Sequence, residues 1–397
     1  MRFYLVLFLF ISFAFSACSR LSGDPVDVST DSLPATPTPT PIPHAPEKID
    51  HDLEQAIAEI AQAAKGKVGV GALLLETGDA AYLNRQQHFA MQSVYKLPIA
   101  MAAMKQVDNG TYKVDSDISI TPADYVRRGF HSPIRNLNPQ GTVMRLDDIL
   151  RYSISESDGS ANDVMLNIAG GPEKVQQYLS SIGIEDIKVA DSTKTISMDW
   201  DTQYRNWATP EASVELLKKL IDHQAGLSNE STALVYNALS EADTGRHRIH
   251  RGLPPGAVLA HKTGTGGHPS EVPGYWKKLA EANANSGNTD TKAVAKNQKR
   301  PSPKRAGPSS TGGDGDSEDS EQTSSEVISA VNDIGIITLP DGRHIILAVY
   351  INDSVSVNPD KIIADIAKTV CDRWTTGQIP DLREYQGNSN PRSFRSR

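Results

Sequence analysis

Apolar and polar positions alternate along the chain in blocks of different period. Residues 3–15, FYLVLFLFISFAF, are almost uniformly apolar and follow the single charge of Arg2. The run is short for a transmembrane span and reads as an export signal over residues 1–17. Residues 18–46 are dominated by Ser, Thr, Asp and Pro, a composition that buries no apolar surface and predicts an extended linker. Helical periodicity then begins: Ile49, Leu53, Ile57, Ile60 and Ala64 share one face, with Gly66 as the stop. The stretch KVGVGALLLETGDAAYLN predicts two strands about a turn at Thr77-Gly78-Asp79.

From Val94 to about Leu239 the period is again mostly helical, in segments such as RLDDILRYSIS and PEASVELLKKLIDH. Strand-like runs return in AVLAHKTGTG, VNDIGIITLP and RHIILAVYIND, the last two joined by the hairpin signal Pro340-Asp341-Gly342. A closing helix brings Ile362, Ile363, Ile366 and Val370 to one face. The pattern predicts an α/β (α+β) fold: an antiparallel sheet built from both ends of the chain, flanked by helices, plus an all-helical lobe from the middle. One catalytic-sized domain over 47–267 and 326–378 follows. Its interruption, 268–325, passes from basic to acidic low complexity and reads as an insertion, with a short helix in EVPGYWKKLAEANA. Residues 379–397 read as a polar tail.

Composition narrows the function classes. The chain has 397 residues and 38% hydrophobic content, enough for a sizeable core. Lys and Arg number 40 against 48 Asp and Glu, a net charge of −8, so nucleic acid is not the expected partner. A small polar substrate and a monomer are expected. Cys18 and Cys371 are the two cysteines, and stability after export rests on packing rather than on a disulfide if Cys18 carries lipid. His261 and His268 lack companion carboxylates or thiols at ligand spacing, so no metal and no other cofactor is expected.

Candidate chemistry begins at MQSVYKLPIA. Ser93 and Lys96 stand three residues apart, which on a helix stacks them on one face. A serine becomes nucleophilic when a base takes its proton, and a lysine serves only when burial or neighbouring charge disfavours its ammonium form. Spacing alone leaves open a helix-capping serine beside a solvated lysine. Ser157-Asp158-Gly159, between two helices, can present a hydroxyl from a loop or be a plain turn. Lys262-Thr263-Gly264, at the end of a strand, can bind a carboxylate or be an ordinary charged edge.

Taken together, Ser-x-x-Lys, Ser-Asp-Gly and Lys-Thr-Gly in this order resemble the motif set of class A serine β-lactamases and penicillin-binding proteins. The stretches HFAMQSVYKLPIA, HSPIRNLNPQGT, LRYSISESDGSANDVML, YRNWAT and VNDIGIITLPDGRHIILAVYI are similar to the branch containing the PER and CfxA types, from Ile49 to Trp374 outside the insertion. The resemblance implies the penicillin-recognising serine fold and a β-lactam substrate. It makes Ser93 the acylated nucleophile, Lys96 a candidate base and Ser157 the proton shuttle to the lactam nitrogen. Lys262 and Thr263 would hold the substrate carboxylate, with Gly264 allowing close backbone approach, and the N–H groups of Ser93 and Thr265 would form the oxyanion hole. Asp158 and Asp163 would be structural. Small residues before Cys18 resemble a lipoprotein cleavage site, implying a periplasmic or membrane-anchored protein.

Two departures from the family pattern stand out. Gly159 replaces an asparagine whose amide would bind the substrate's side-chain carbonyl. The stretch matching the Ω-loop, between Ala190 and Trp207, contains no glutamate to activate the deacylating water; its position falls near Thr193, with Asp191, Asp199 and Asp201 as possible substitutes. That absence keeps a D,D-peptidase-like serine acyl-enzyme with slow deacylation, and a non-catalytic binding lipoprotein, as alternative readings. The insertion begins just after Thr265, beside the site, and its low complexity predicts that it hangs clear, with Tyr275 and Trp276 the residues to watch for contact.

Overall fold

The structure, a computed structural model, describes residues 45–268, 327–356 and 358–379. The expected signal, the linker up to residue 44, most of the insertion with Tyr275 and Trp276, the short helix within it and the tail beyond residue 379 lie outside the described residues. The strands are β1 (Lys48–Ile49), β2 (Lys67–Leu74), β3 (Asp79–Leu83), β4 (Phe89–Ala90), β5 (Asp117–Ile120), β6 (Thr142–Arg145), β7 (Ile187–Lys188), β8 (Trp207–Ala208), β9 (Val258–Thr265), β10 (Ile328–Thr338) and β11 (His344–Ser354). The helices are α1 (His51–Ala61), α2 (Lys96–Asp108), α3 (Pro133–Leu137), α4 (Leu146–Ile154), α5 (Gly159–Ala169), α6 (Pro172–Ser181), α7 (Thr193–Ile196), α8 (Pro210–Ile221), α9 (Asn229–Ser240) and α10 (Pro359–Thr376).

Six strands form one sheet in the order β1-β3-β2-β11-β10-β9. All its pairings are antiparallel except the short β1–β3 contact. The sheet therefore joins strands from both ends of the chain, as the periodicity predicts. Alternation decides which side chain faces which layer. Val68, Val70, Ala72 and Leu74 of β2 and Ile345, Leu347, Val349 and Ile351 of β11 face the terminal helices, whose Leu53, Ile57, Ile362, Ile363, Ile366 and Val370 complete that core. The intervening Leu73, Ile346, Ala348 and Tyr350 face the second core, with α2, α4, α5, α6, α8 and α9. Burying one leucine or isoleucine side chain of this kind contributes about 1.5–3 kcal/mol.

Three local expectations differ. Ile49 belongs to β1 rather than to the first helix, because Asp50 caps α1 by accepting from the Leu53 amide at 3.1 Å. The helix stop is Lys65, in the left-handed region at φ +47°, rather than Gly66. The helical middle also carries short strand pairs, β5 with β6 and β4 with β8 and β7, two to four residues long and therefore without a periodic signal.

Candidate active site

Ser93 lies in a 3-10 turn, Gln92–Tyr95, that runs straight into α2, of which Lys96 is the first residue. Three residues per turn superpose positions i and i+3 more closely than an α-helix does. Gln92 is held at φ +48°, a conformation that costs a non-glycine residue of order 1–3 kcal/mol. Its side chain compensates by donating to Gln203 Oε1 at 2.6 Å. Asn332 on β10 fixes the approach to this turn, donating to the carbonyls of Ala90 at 2.8 Å and Met91 at 3.0 Å. Asn352 on β11 accepts from the Ala90 amide at 2.6 Å. The turn is thus anchored by two buried asparagines of the central strands.

Lys96 is 2% exposed, which removes the solvated-lysine alternative. Burial pulls its pKa down to about 8, against the opposing charges of Asp158 and Asp163. The amine donates to the Ser157 carbonyl and, at 3.3 Å, to Ser157 Oγ.

Ser157 stands between α4 and α5 at φ +55°. Asp158 caps α5 and is completely buried: its carboxylate accepts from the amides of Ser160 at 2.7 Å, Ala161 at 2.9 Å and Ile134 at 2.7 Å, and from Ser132 Oγ at 2.9 Å. This web fixes the turn that exposes the Ser157 hydroxyl. Across the cleft, Lys262 on β9 is fully buried and donates to Ser157 Oγ at 2.9 Å. It is not a charged edge in solvent. Burial holds its ammonium well below the usual lysine range; Lys96 and Arg248 add repulsion, and Asp333 opposes them.

The rest of the strand motif divides by depth. Thr263 is buried, its Oγ1 2.7 Å from Thr244 Oγ1. At Gly264 a Cβ would lie 2.3 Å from the Met91 carbonyl oxygen, so glycine alone lets β9 lie against the turn that carries Ser93. Thr265 is exposed to the cleft and accepts from Arg248 Nη2 at 2.7 Å. Arg248 also donates to the carbonyls of Gly264 at 3.2 Å and Asn332 at 2.9 Å, and pairs with Asp360 at 2.6 Å.

The stretch 190–207 folds as a loop whose neck is closed by Asn206, its Oδ1 accepting from the amides of Ala190 at 2.7 Å and Asp191 at 2.9 Å. Asp163 on α5 holds the far side: its carboxylate accepts from the Thr193 amide at 2.7 Å and the Lys194 amide at 2.8 Å. Burial raises the Asp163 pKa despite these bonds. Thr193 lines the cleft, and its Oγ1 accepts from Tyr95 Oη and Asn162 Nδ2, both at 3.0 Å. Of the three aspartates weighed as substitutes for a glutamate, Asp199 alone lines the cleft, accepting from Thr202 Oγ1 at 3.0 Å. Asp191 pairs with Arg205 at 3.2 Å, and Asp201 opens a 3-10 turn at the surface.

Ser93, Lys96, Ser157, Gly159 and Thr265 thus line one cleft of about 510 Å³, with Lys262 reaching its floor through Ser157. Sequence reasoning missed Gln92, Arg127, Phe130, His131, Trp200 and Gln203, which also line it, and Arg248 and Asn332 behind it. Asn332-Asp333 carried a signal: two polar residues inside the apolar strand VNDIGIITLP. Asp333 accepts from Ile249 N at 3.2 Å and meets His261 Nδ1 at 2.8 Å. Among the described residues no three His, Cys, Asp or Glu side chains gather as a metal site, and no helix is long and apolar enough to cross a membrane.

Known proteins share this arrangement of sequence and fold. The family described as beta-lactamase enzyme family matches residues 52–274. The chain is 30% identical over 320 residues, 80% of its length and 88% of the relative's, to beta-lactamase VEB-1 of Pseudomonas aeruginosa. It is 28% identical over 319 residues, 80% and 85% of the two chains, to the extended-spectrum beta-lactamase PER-1 of the same organism. A crystal structure of a beta-lactamase from Chitinophaga pinensis superposes with a TM-score of 0.65 at 30% identity, covering 82% of this chain and 100% of that one. The TLA-3 extended-spectrum beta-lactamase also gives 0.65, at 29% identity over 82% and 98%. The chain belongs to the beta-lactamase enzyme family.

Proposed function

We propose that this serine β-lactamase opens the lactam ring by acylating Ser93, with the Ser157 hydroxyl, shared by two buried amines, as the observation that carries the reading. Lys96 in its neutral form takes the Ser93 proton as Oγ attacks the lactam carbonyl carbon. The carbonyl's developing negative charge is met by the N–H groups of Ser93 and Thr265; one such donor typically contributes about 3–4 kcal/mol. Ser157 Oγ accepts from Lys96 and Lys262, which leaves its own proton for the lactam nitrogen as the C–N bond breaks. Lys96 then replaces that proton. Lys262 and Thr263, supported by Arg248 and Thr244, hold the ring carboxylate, whose arrival relieves the repulsion among Lys96, Lys262 and Arg248. Asp158 and Asp163 brace the loops that carry Ser157 and Thr193.

Deacylation is the slow half of the cycle in this reading. The residue at the expected place of a glutamate is Thr193, and both lone pairs of its hydroxyl are taken by Tyr95 and Asn162. A water there lacks a carboxylate acceptor, a loss worth about 100- to 10,000-fold in rate. The same observation favours the second reading, a D,D-peptidase-like enzyme that holds β-lactams as long-lived adducts. Mass spectrometry of the protein mixed with benzylpenicillin, followed over time, separates them. A transient adduct that disappears with release of penicilloate supports the hydrolase; a permanent adduct with D-Ala release from a D-Ala-D-Ala peptide supports the peptidase. Absence of any adduct, or an adduct that persists in Ser93→Ala, would refute both. The signal-like residues 1–17 and Cys18 support export, with anchoring through a lipid on Cys18 tested by palmitate labelling of the wild type and a Cys18→Ser variant.

A further inference from the structure

We propose that Asp333 is a positioning residue for the carboxylate pocket: one buried carboxylate holds both the strand that carries Lys262 and the turn that carries Arg248, and so fixes the spacing of these two cations. The proposal rests on the acyl-serine reading, in which that pocket receives the ring carboxylate of the substrate, and deepens it.

Sheet register sets up the first arm. Asp333 on β10 stands opposite Thr263 on β9, and Gly335 stands opposite His261. Side chains two residues apart on a strand share a face, so His261 and Thr263 lie on the face of Asp333 while Lys262 points the other way, to Ser157. Asp333 and His261 are thus diagonal neighbours. Contact between them requires the His261 side chain to lie close against β10, and Gly335 leaves the room: a Cβ there would be 2.7 Å from His261 Cβ and 2.8 Å from the Ala260 carbonyl oxygen. His261 Nδ1 meets Asp333 Oδ1 at 2.8 Å, with both side chains buried. A carboxylate only accepts, so Nδ1 carries the hydrogen.

The second arm runs to the 3-10 turn Ile249–Gly252. Asp333 Oδ2 accepts from the Ile249 amide at 3.2 Å, and the preceding residue, Arg248, donates to the Asn332 carbonyl at 2.9 Å. The dipeptide Asn332-Asp333 therefore holds Arg248 by its side chain and by the peptide that follows it. Charge agrees with this geometry. Burial and the like charges of Lys96 and Arg248 disfavour the Lys262 ammonium, and Asp333 favours it. A buried carboxylate is unfavourable without partners; the partners here are the residue before Lys262 and the amide after Arg248.

The test compares benzylpenicillin with its methyl ester, which lacks the anion, in stopped-flow acylation of the full chain. Asp333→Asn keeps the shape but leaves one accepting oxygen, so one arm is lost together with the charge. The apparent dissociation constant of the acid is expected to rise about 10- to 100-fold, as on loss of a hydrogen bond to a charged group, with the limiting acylation rate and the ester changed by less than about threefold. An acid-to-ester preference equal to that of wild type would overturn the proposal, and so would equal slowing of both lactams, the mark of a structural role alone. Variants at 261 decide the matter if Asp333→Asn does not fold. Glutamine reaches the place of Nε2 and offers no donor at that of Nδ1, whereas asparagine offers one there. His261→Gln is expected to lower the preference about three- to tenfold and His261→Asn to keep it; an unchanged preference in His261→Gln would overturn the proposal. Failure of wild type to form a benzylpenicillin adduct would overturn the acyl-serine reading instead, and calorimetric binding of acid and ester to wild type and the same variants would then judge Asp333 separately.

Discussion

Ser157 Oγ accepts a hydrogen bond from Lys262 Nζ at 2.9 Å, joining two residues 105 positions apart. The second amine, Lys96, approaches the same oxygen at 3.3 Å. Burial lowers the proton affinity of both amines, the charge of Lys96 lowers that of Lys262 further, and Asp158 and Asp163 beside Lys96 and Asp333 beside Lys262 oppose this.

Replacing Ser157 with alanine removes the proton path to the leaving nitrogen while Ser93 and Lys96 stay in place. Acylation should slow by about 100- to 10,000-fold, the usual weight of a positioned proton donor. Stopped-flow nitrocefin opening measures it, and a variant within a few-fold of wild type would reject Ser157 as the shuttle.

In the proposed role, Lys96 can take a proton only when neutral. With its pKa lowered to about 8, its neutral fraction rises from about 1% at pH 6 to about half at pH 8, so acylation should climb about fifty-fold across that window and level off above it. Stability follows the same sign. Between about pH 8 and the ordinary lysine value of 10.5, the unfolded chain binds the proton that the folded chain has lost, so unfolding free energy rises with pH there. A rate independent of pH from 6 to 9 would remove Lys96 from the role.

Thr193→Glu places an unbranched carboxylate where Tyr95 Oη and Asn162 Nδ2 already offer hydrogen bonds. Deacylation should quicken by about 100- to 10,000-fold with acylation changed far less. Lifetimes of the benzylpenicillin adduct by mass spectrometry decide it, and an unchanged lifetime would show that the rate is limited elsewhere. Asp199→Asn provides the comparison: because the Asp199 carboxylate is engaged by Thr202 Oγ1 at 3.0 Å, its loss should alter the lifetime by less than about threefold.

Asp158→Ala strands the amides of Ser160, Ala161 and Ile134 without their acceptor in a buried interior, while the Ser132 hydroxyl keeps Ser160 Oγ at 2.8 Å. The expected loss is about 3 kcal/mol or more in urea unfolding. A loss under about 1 kcal/mol would mean that the carboxylate does not brace the Ser157 turn.

Much of the scaffold was legible in the chain because it rests on local periodicity. The spacing of Leu53 and Ile57, the alternation through Val68, Val70 and Ala72, and the Pro340-Asp341-Gly342 hairpin each encode an element within a few residues. The short pairs such as β4 with β8 escaped notice because two residues carry no period. Ile49 was misread as helical because a hydrophobic face does not reveal where Asp50 caps the helix.

The sequence by itself determined which groups could do the chemistry: a serine one turn before a lysine, a hydroxyl on a turn, a lysine on a late strand. Only the tertiary structure decided that they stand together, because burial of Lys96 and Lys262, and their convergence on Ser157, arise when β9 lies against the turn of Ser93 at Gly264. It also decided what Thr193 means, since its two hydroxyl partners come from segments far apart in the chain. Charge, proton affinity and room for a side chain depend on neighbours, and folding chooses the neighbours.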